Sequence, residues 1–155
     1  MPDPDPRLDA WRQLLTAHAE VVDVLERELR EARGLPLSWY DVLLHLHESG
    51  EGRLRMHELA ESLLLSRSAA TRFVDRMQKA GLVTREACEA DRRGTFVVMT
   101  EEGRAAFRTA APIHLDGIRR HFTEHLDDGE ARLLAGVLQR IADAARAAGT
   151  IGGPC

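Results

Sequence analysis

The sequence predicts a mainly α-helical chain with one small β-wing, its two ends formed by long helices. Three observations carry this. Apolar residues recur at helical spacing from Leu8 to Leu29 and again after Thr100. Gly34 with Pro36, Gly50 with Gly52, and Gly81 interrupt that pattern at separate points. Only two short runs, 82–85 and 95–99, read as paired strands, and the polar stretch 86–94 between them makes a hairpin.

Length and composition limit what such a chain can be. The 155 residues carry a net charge of -4 and are 44% hydrophobic, which suits one domain with a real core. That charge excludes a protein coated in basic surface. Twenty of the 21 basic residues are Arg, Lys79 being the exception, and Arg offers a planar fork of donors to phosphates and base edges. No apolar run approaches the roughly 18 residues of a membrane span. The start, Met1-Pro2-Asp3-Pro4-Asp5-Pro6, has neither the basic nor the apolar part of a secretory signal. Cys88 and Cys155 cannot build a disulfide framework, so a cytoplasmic, reduced chain is expected.

Each element has its own local warrant. Residues 1–6 are expected as a disordered lead, and a first helix follows from Leu8 to the stop at Gly34 and Pro36. Ser38 is placed as an N-cap with Asp41 at the third helical position and Leu37 and Val42 as a hydrophobic staple, so a second helix runs from Trp39 to about Glu48. Arg53 to Met56 is a short strand. His57–Leu63 and Arg67–Ala80 are short helices, the latter capped by Ser66 and ended by Gly81. Thr100 caps a long helix that begins Glu101-Glu102, with Pro112 as a bend and an end near His125. Asp127 with Glu130 is spaced as a capping box for a last helix, and 149–155 are expected as a flexible tail.

Two short helices joined by a tight turn and followed by a hairpin make a winged helix-turn-helix. On its second helix Ala70, Phe73, Val74 and Met77 share one side, while Ser68, Thr71, Arg72, Asp75 and Lys79 share the other, flanked by Arg67 and Arg76. Arg can take guanine O6 and N7 together in a major groove, and Ser or Thr can reach bases or phosphates. A solvated, Arg-rich helix face would show the same pattern. The wing separates the two readings, because Asp91-Arg92-Arg93-Gly94 puts two arginines at a hairpin tip, within reach of a minor groove or phosphates. Charge agrees. Residues 53–93 hold nine basic and six acidic side chains, a net of +3, against −7 for the rest.

Residues 59–76 (LAESLLLSRSAATRFVDR), followed in order by Ala80-Gly81-Leu82-Val83, Asp91-Arg92-Arg93 and Met99-Thr100-Glu101-Glu102-Gly103, resemble the reading head of MarR-type transcriptional regulators. Leu64 stands where a glycine is common in that family, and the family's frequent wing proline is missing. The resemblance covers about residues 8–145. It implies one domain over 7–148, with 7–34 and 101–148 as dimerisation helices and 38–100 as the winged helix-turn-helix head. It further implies a homodimer on a pseudo-palindromic DNA operator, most often a repressor released by a small phenolic or aromatic acid. Ser66, Arg67, Ser68, Thr71, Arg72 and Arg76 become recognition-helix contacts, and Arg92 and Arg93 wing contacts. Asp75, repelled by phosphate, is expected to pair with a wing arginine.

Family effectors sit between the dimerisation helices and the head. Candidates there are Trp11, Arg12 and His18 on the first helix and Trp39, Tyr40 and Asp41 on the second, aromatics to stack and Arg12 or His18 to pair with a carboxylate. All have plain structural alternatives as interface or core residues. His121 and His125, with His114 earlier, share a helix face and could hold a metal, but no Cys is near and a surface histidine pair explains the spacing. Cys88 at the wing base could sense oxidation, but the family's thiol sensors carry their cysteine near the N-terminal helix, where this chain has none, and an inert thiol is the favoured reading. A winged-helix adaptor without DNA binding is the other alternative. No cofactor is expected. No phosphate loop, nucleophile elbow or zinc-protease helix is present, so an enzyme is not expected. The wing assignment predicts that Arg92→Ala and Arg93→Ala weaken binding to many duplexes alike. Each should reduce the slope of log affinity against log salt by about one, measured by fluorescence anisotropy across a salt series.

Overall fold

A computed structural model of the chain describes residues 5–90 and 94–150. It is mainly helical with one three-stranded antiparallel sheet, as the sequence predicts. The residues divide into two compact units, one up to Asp116 and one from Gly117.

The first unit opens with α1 (Pro6–Arg33). This helix begins two residues before Leu8, because Asp5 Oδ1 accepts the Arg7 N–H at 2.9 Å and Pro6 at the first position needs no partner for a missing N–H. Gly34, at φ +64, returns its N–H to Arg30 O and closes the helix. Only Leu25 and Leu29 of α1 are buried; Leu8, Trp11, Leu15 and Val22 face solvent.

The second helix, α2 (Leu37–Glu48), corrects the expected cap. Ser38 lies inside the helix, and no side chain of its own segment caps it. Instead the Leu37 N–H donates to Glu26 Oε2 of α1 at 2.6 Å, so a neighbouring helix supplies the acceptor. Burial pushes the Glu26 carboxyl up, but the Leu37 N–H and the charge and hydrogen bond of Arg30 outweigh it and hold it below its usual value.

Strand β1 (Arg53–Arg55) leads into α3 (Met56–Ser62) and α4 (Arg67–Lys79), and β2 (Val83–Ala87) and β3 (Thr95–Met99) form the hairpin. The sheet order is β1-β3-β2, with Leu54 opposite Val97 and Val83 opposite Met99. Strand alternation sorts the faces. Val83, Val97 and Met99 are buried, whereas Arg53 and Arg55 lie over the Phe96 ring on the other face, at 4.0 and 5.4 Å from its centroid.

α3 and α4 end in the same Schellman geometry. After α4, Gly81 (φ +79) donates to Gln78 O and Leu82 to Met77 O. After α3, Leu64 donates to Glu61 O and Leu65 to Ala60 O, but the left-handed residue is Leu64, at φ +55 and 93% exposed. A leucine there carries the strain a glycine avoids and gains no burial in return.

The long helix α5 (Glu101–His121) is fastened to the loop after α4. Thr100 donates its hydroxyl to Gly81 O at 2.6 Å, accepts the Gly103 N–H at 3.0 Å, and donates its own N–H to Leu82 O at 3.1 Å. Gly103 is required by contact: a Cβ there would stand 2.1 Å from Leu82 O. Further along, Phe107 and Ala110 are buried and Pro112 lies within the helix.

In the second unit the end of α5 at His121 comes four residues before the expected His125, which instead falls in a 3-10 turn over Thr123–His125. The capping box of α6 (Asp128–Thr150) is complete: Asp127 Oδ1 accepts the Glu130 N–H at 2.9 Å and Glu130 Oε2 accepts the Asp127 N–H at 3.0 Å. The helix continues to Thr150, past the expected start of a tail at Gly149. Phe122, Leu133 and Ile141 are exposed.

Leu64→Gly should stabilise the protein by about 0.5–1 kcal/mol, strain relief exceeding the added freedom of the unfolded chain. The urea midpoint measures it.

Candidate nucleic-acid interface

The buried side of α4 explains where its other side must point. Ala70, Val74 and Met77 have no exposed surface, so the helix cannot turn far about its axis without opening the core. Arg67, Ser68, Thr71, Arg72 and Arg76 are consequently exposed together. Ser66 is the N-cap, its Oγ accepting the Ala69 N–H at 3.2 Å and lying 3.3 Å from Ser68 Oγ. The structure thus gives Ser66 a structural task beside its expected contact. Thr71 donates its hydroxyl back to Arg67 O at 2.9 Å, which leaves its oxygen free to accept only.

The exposed surface of α4 divides into two stripes. Ser68, Arg72, Arg76 and Lys79 form one by their helical spacing, and Arg72, Arg76 and Lys79, with Asp75 beside them, border an open groove of about 530 Å³ floored by Leu65, Ala69 and Phe73. The Arg76 guanidinium lies 5.3 Å from the Phe73 ring centroid, which fixes its stem against the helix. Thr71, Asp75 and Gln78 form the other stripe, at i, i+4 and i+7, and Arg85 of β2 lies along it.

Arg85 is the residue that sequence reasoning missed. Its guanidinium is 2.6 Å from Asp75 Oδ1, and it donates to Gln78 Oε1 at 2.8 Å and to the Thr71 carbonyl at 3.0 Å. Asp75 is therefore paired with an arginine of the wing strand. A signal was available, because Val83 and Arg85 are two residues apart on one strand and must share its inner face. Arg92 and Arg93, expected at the wing tip, lie outside the described residues, as does Asp91. At the wing base Cys88 is a buried free thiol whose N–H donates to Gly94 O at 2.9 Å.

The effector candidates fall into two groups. Trp11, Arg12 and His18 stand on the exposed part of α1. Glu26, where α1 touches α2, is about 22 Å along the axis from Trp11 and about 12 Å from His18. Trp39 is half-buried, and Tyr40, 2% exposed, packs against Phe107 at 5.4 Å and His114 at 4.5 Å between ring centroids. Burial raises the Asp41 carboxyl, against the opposing charges of His114 and His45. Burial likewise lowers the His114 imidazole, against the pull of Asp41, and His114 Nδ1 is enclosed without a hydrogen-bond partner. His114 thus belongs to this aromatic cluster. Among the described residues, no group of three or more His, Cys, Asp or Glu is placed to hold a metal ion. Among them, too, no helix is long and apolar enough to cross a membrane.

The fold recurs in known proteins. Residues 33–94 match the model of the MarR family. The chain superimposes on AbsC, a MarR family transcriptional regulator from Streptomyces coelicolor, with a TM-score of 0.89 and 37% identity over 95% of this chain and 99% of that one. A second S. coelicolor regulator of the family, Sco3205, solved in complex with DNA, gives a TM-score of 0.86 and 33% identity over 93% of this chain and 90% of that one. The Bacillus subtilis HTH-type transcriptional regulator MhqR is 26% identical over 83% of this chain and 86% of its own. These relatives are transcriptional regulators and not enzymes. With its helix-turn-helix, its three-stranded sheet and a likeness covering 95% of this chain, the chain belongs to the MarR family of DNA-binding transcriptional regulators.

Proposed function

We propose that this protein is a cytoplasmic, homodimeric repressor that leaves a pseudo-palindromic operator when a small aromatic or carboxylate-bearing effector binds. The observation that carries the DNA half is the open Ser68–Arg72–Arg76 stripe above a fully buried underside. Arg72 sits mid-stripe, and among the described residues its guanidinium shares neither donor edge, so it is the side chain for a guanine edge. Ser66, Arg67 and Thr71 support it near the helix start, and Arg92 and Arg93 extend the contact to an adjacent groove or phosphates.

The homodimer is supported by the apolar residues left uncovered on each long helix: Leu8, Trp11 and Leu15 on α1, Leu115 on α5, Leu133 and Ile141 on α6. A stripe of this kind is stable in water only when a second surface covers it.

Ligand response is known for this family. Here the reading rests on Trp39, Tyr40, Asp41 and His114 where α2 meets α5, and on Trp11, Arg12 and His18, which a partner's helices would enclose. An effector seated against Tyr40 and His114 pushes on α5, and α5 is fastened through Thr100 to the loop that ends α4. That connection gives release a mechanical route.

Arg72→Ala should cost about 1–3 kcal/mol of operator affinity, concentrated at one or two base positions, as read by anisotropy titrations against duplexes substituted one base pair at a time. The His114 environment predicts a pH dependence of stability. Its folded-state pKa lies below 6.5, so the unfolded chain binds the proton first and stability falls as pH drops through 6.5 towards the folded value. Asp41, raised above 3.8, acts in the opposite direction in a more acidic window. In His114→Phe, the decline in urea midpoint from about pH 7 to about pH 5.5 should be shallower than in the wild type.

A further inference from the structure

We propose that Arg85 is a positioning residue for DNA recognition: it clamps the reading helix to the wing and covers the one carboxylate on that helix. This rests on α4 being the helix that enters DNA. The geometry is a three-point attachment. From β2, Arg85 meets Asp75 at 2.6 Å, Gln78 at 2.8 Å and the Thr71 carbonyl at 3.0 Å, which spans two turns of α4 along one stripe. A planar fork of donors can hold a carboxylate, an amide oxygen and a carbonyl from fixed directions; an ammonium offers its three donors from one point on a flexible stem and fixes their orientation less well.

Two consequences follow from where the clamp lies. The Thr71 carbonyl belongs to the peptide that leads into Arg72, so Arg85 holds the backbone next to the side chain that reads the groove. Buried contacts fix the underside of α4 at Ala70, Val74 and Met77, but apolar packing tolerates small rotations that hydrogen bonds do not. The fork therefore sets the remaining freedom, the rotation of the helix about its own axis relative to the wing.

The second consequence is electrostatic. Asp75 is 48% exposed on a surface that must approach phosphates, where a bare carboxylate is repelled. Paired with Arg85, whose side chain is 25% exposed, the carboxylate is neutralised without a full positive charge being offered in its place. Arg85 thus contributes to which sequence is bound more than to how tightly DNA in general is held. It is distinct from Arg72 and Arg76, whose guanidinium groups border the open groove.

The test measures affinity for a selected operator and for a scrambled duplex across a salt series, in the wild type and in Arg85→Ala, Arg85→Lys, Asp75→Asn, Arg85→Ala/Asp75→Asn and Arg72→Ala. Arg85→Ala should lose about tenfold or more on the operator and much less on the scrambled duplex, with the operator salt slope unchanged. Arg85→Lys should recover only part of that loss. The double variant should lose no more specificity than Arg85→Ala, because both changes break one attachment. Readouts are ratios between duplexes on folded protein, so a lowered Tm does not mimic the result. Equal losses on both duplexes with a slope reduced by about one would make Arg85 a phosphate contact and overturn the proposal. So would an unchanged operator to scramble ratio while Arg72→Ala loses affinity. If Arg72→Ala also binds as the wild type does, α4 is not the reading helix and the clamp falls with it.

Discussion

The structure depends most on how α4 is held. Its underside is buried to the last atom at Ala70, Val74 and Met77, and its first turn is capped by Ser66. Its last turn is closed by Gly81 and Leu82, and the same loop receives the hydroxyl and N–H of Thr100. Gly103 then brings the start of α5 so close to Leu82 that no side chain fits between them. One helix is thus tied at once to the core, the wing and the long helix that follows. Its outward face is a consequence of these attachments, and so is the direction in which Arg72 points.

Charge is arranged to match. The chain as a whole is mildly acidic, yet the segment holding the head is positive and the remainder strongly negative. On the proposed reading, an acidic body lowers affinity for arbitrary DNA, which leaves binding to the correctly spaced arginines of the heads. Within the head, the single carboxylate of α4 that faces outward is taken by Arg85 and not left for phosphates to meet. On the proposed reading, affinity and selectivity rest on different arginines.

Much of this was legible in the order of residues. The Ser66 cap, the Gly81 stop, the hairpin and the Asp127/Glu130 box are local signals, because each partner lies within a few residues of the other. What was not legible came from partners far apart in the chain. Ser38 had the right identity for a cap, but Glu26, eleven residues earlier on another helix, reaches the Leu37 N–H instead. The stacking of Tyr40 on Phe107 and His114 likewise depends on how α5 passes α2. Arg85 was counted as one more positive charge, although the alternation of its strand already turned it inward beside Val83. Leu64 is the converse case. Its departure from the glycine usual in the family was visible at once, and only the backbone shows why glycine is usual there.

On the proposed reading two such heads, each presenting one α4, read one operator together. Selection of bound duplexes from a random pool by the full-length protein tests it most directly. The expected result is an enriched inverted repeat whose half-site centres lie about one helical turn, roughly 10 base pairs, apart. Enrichment of a single unrepeated half-site, or of no sequence at all, would contradict it.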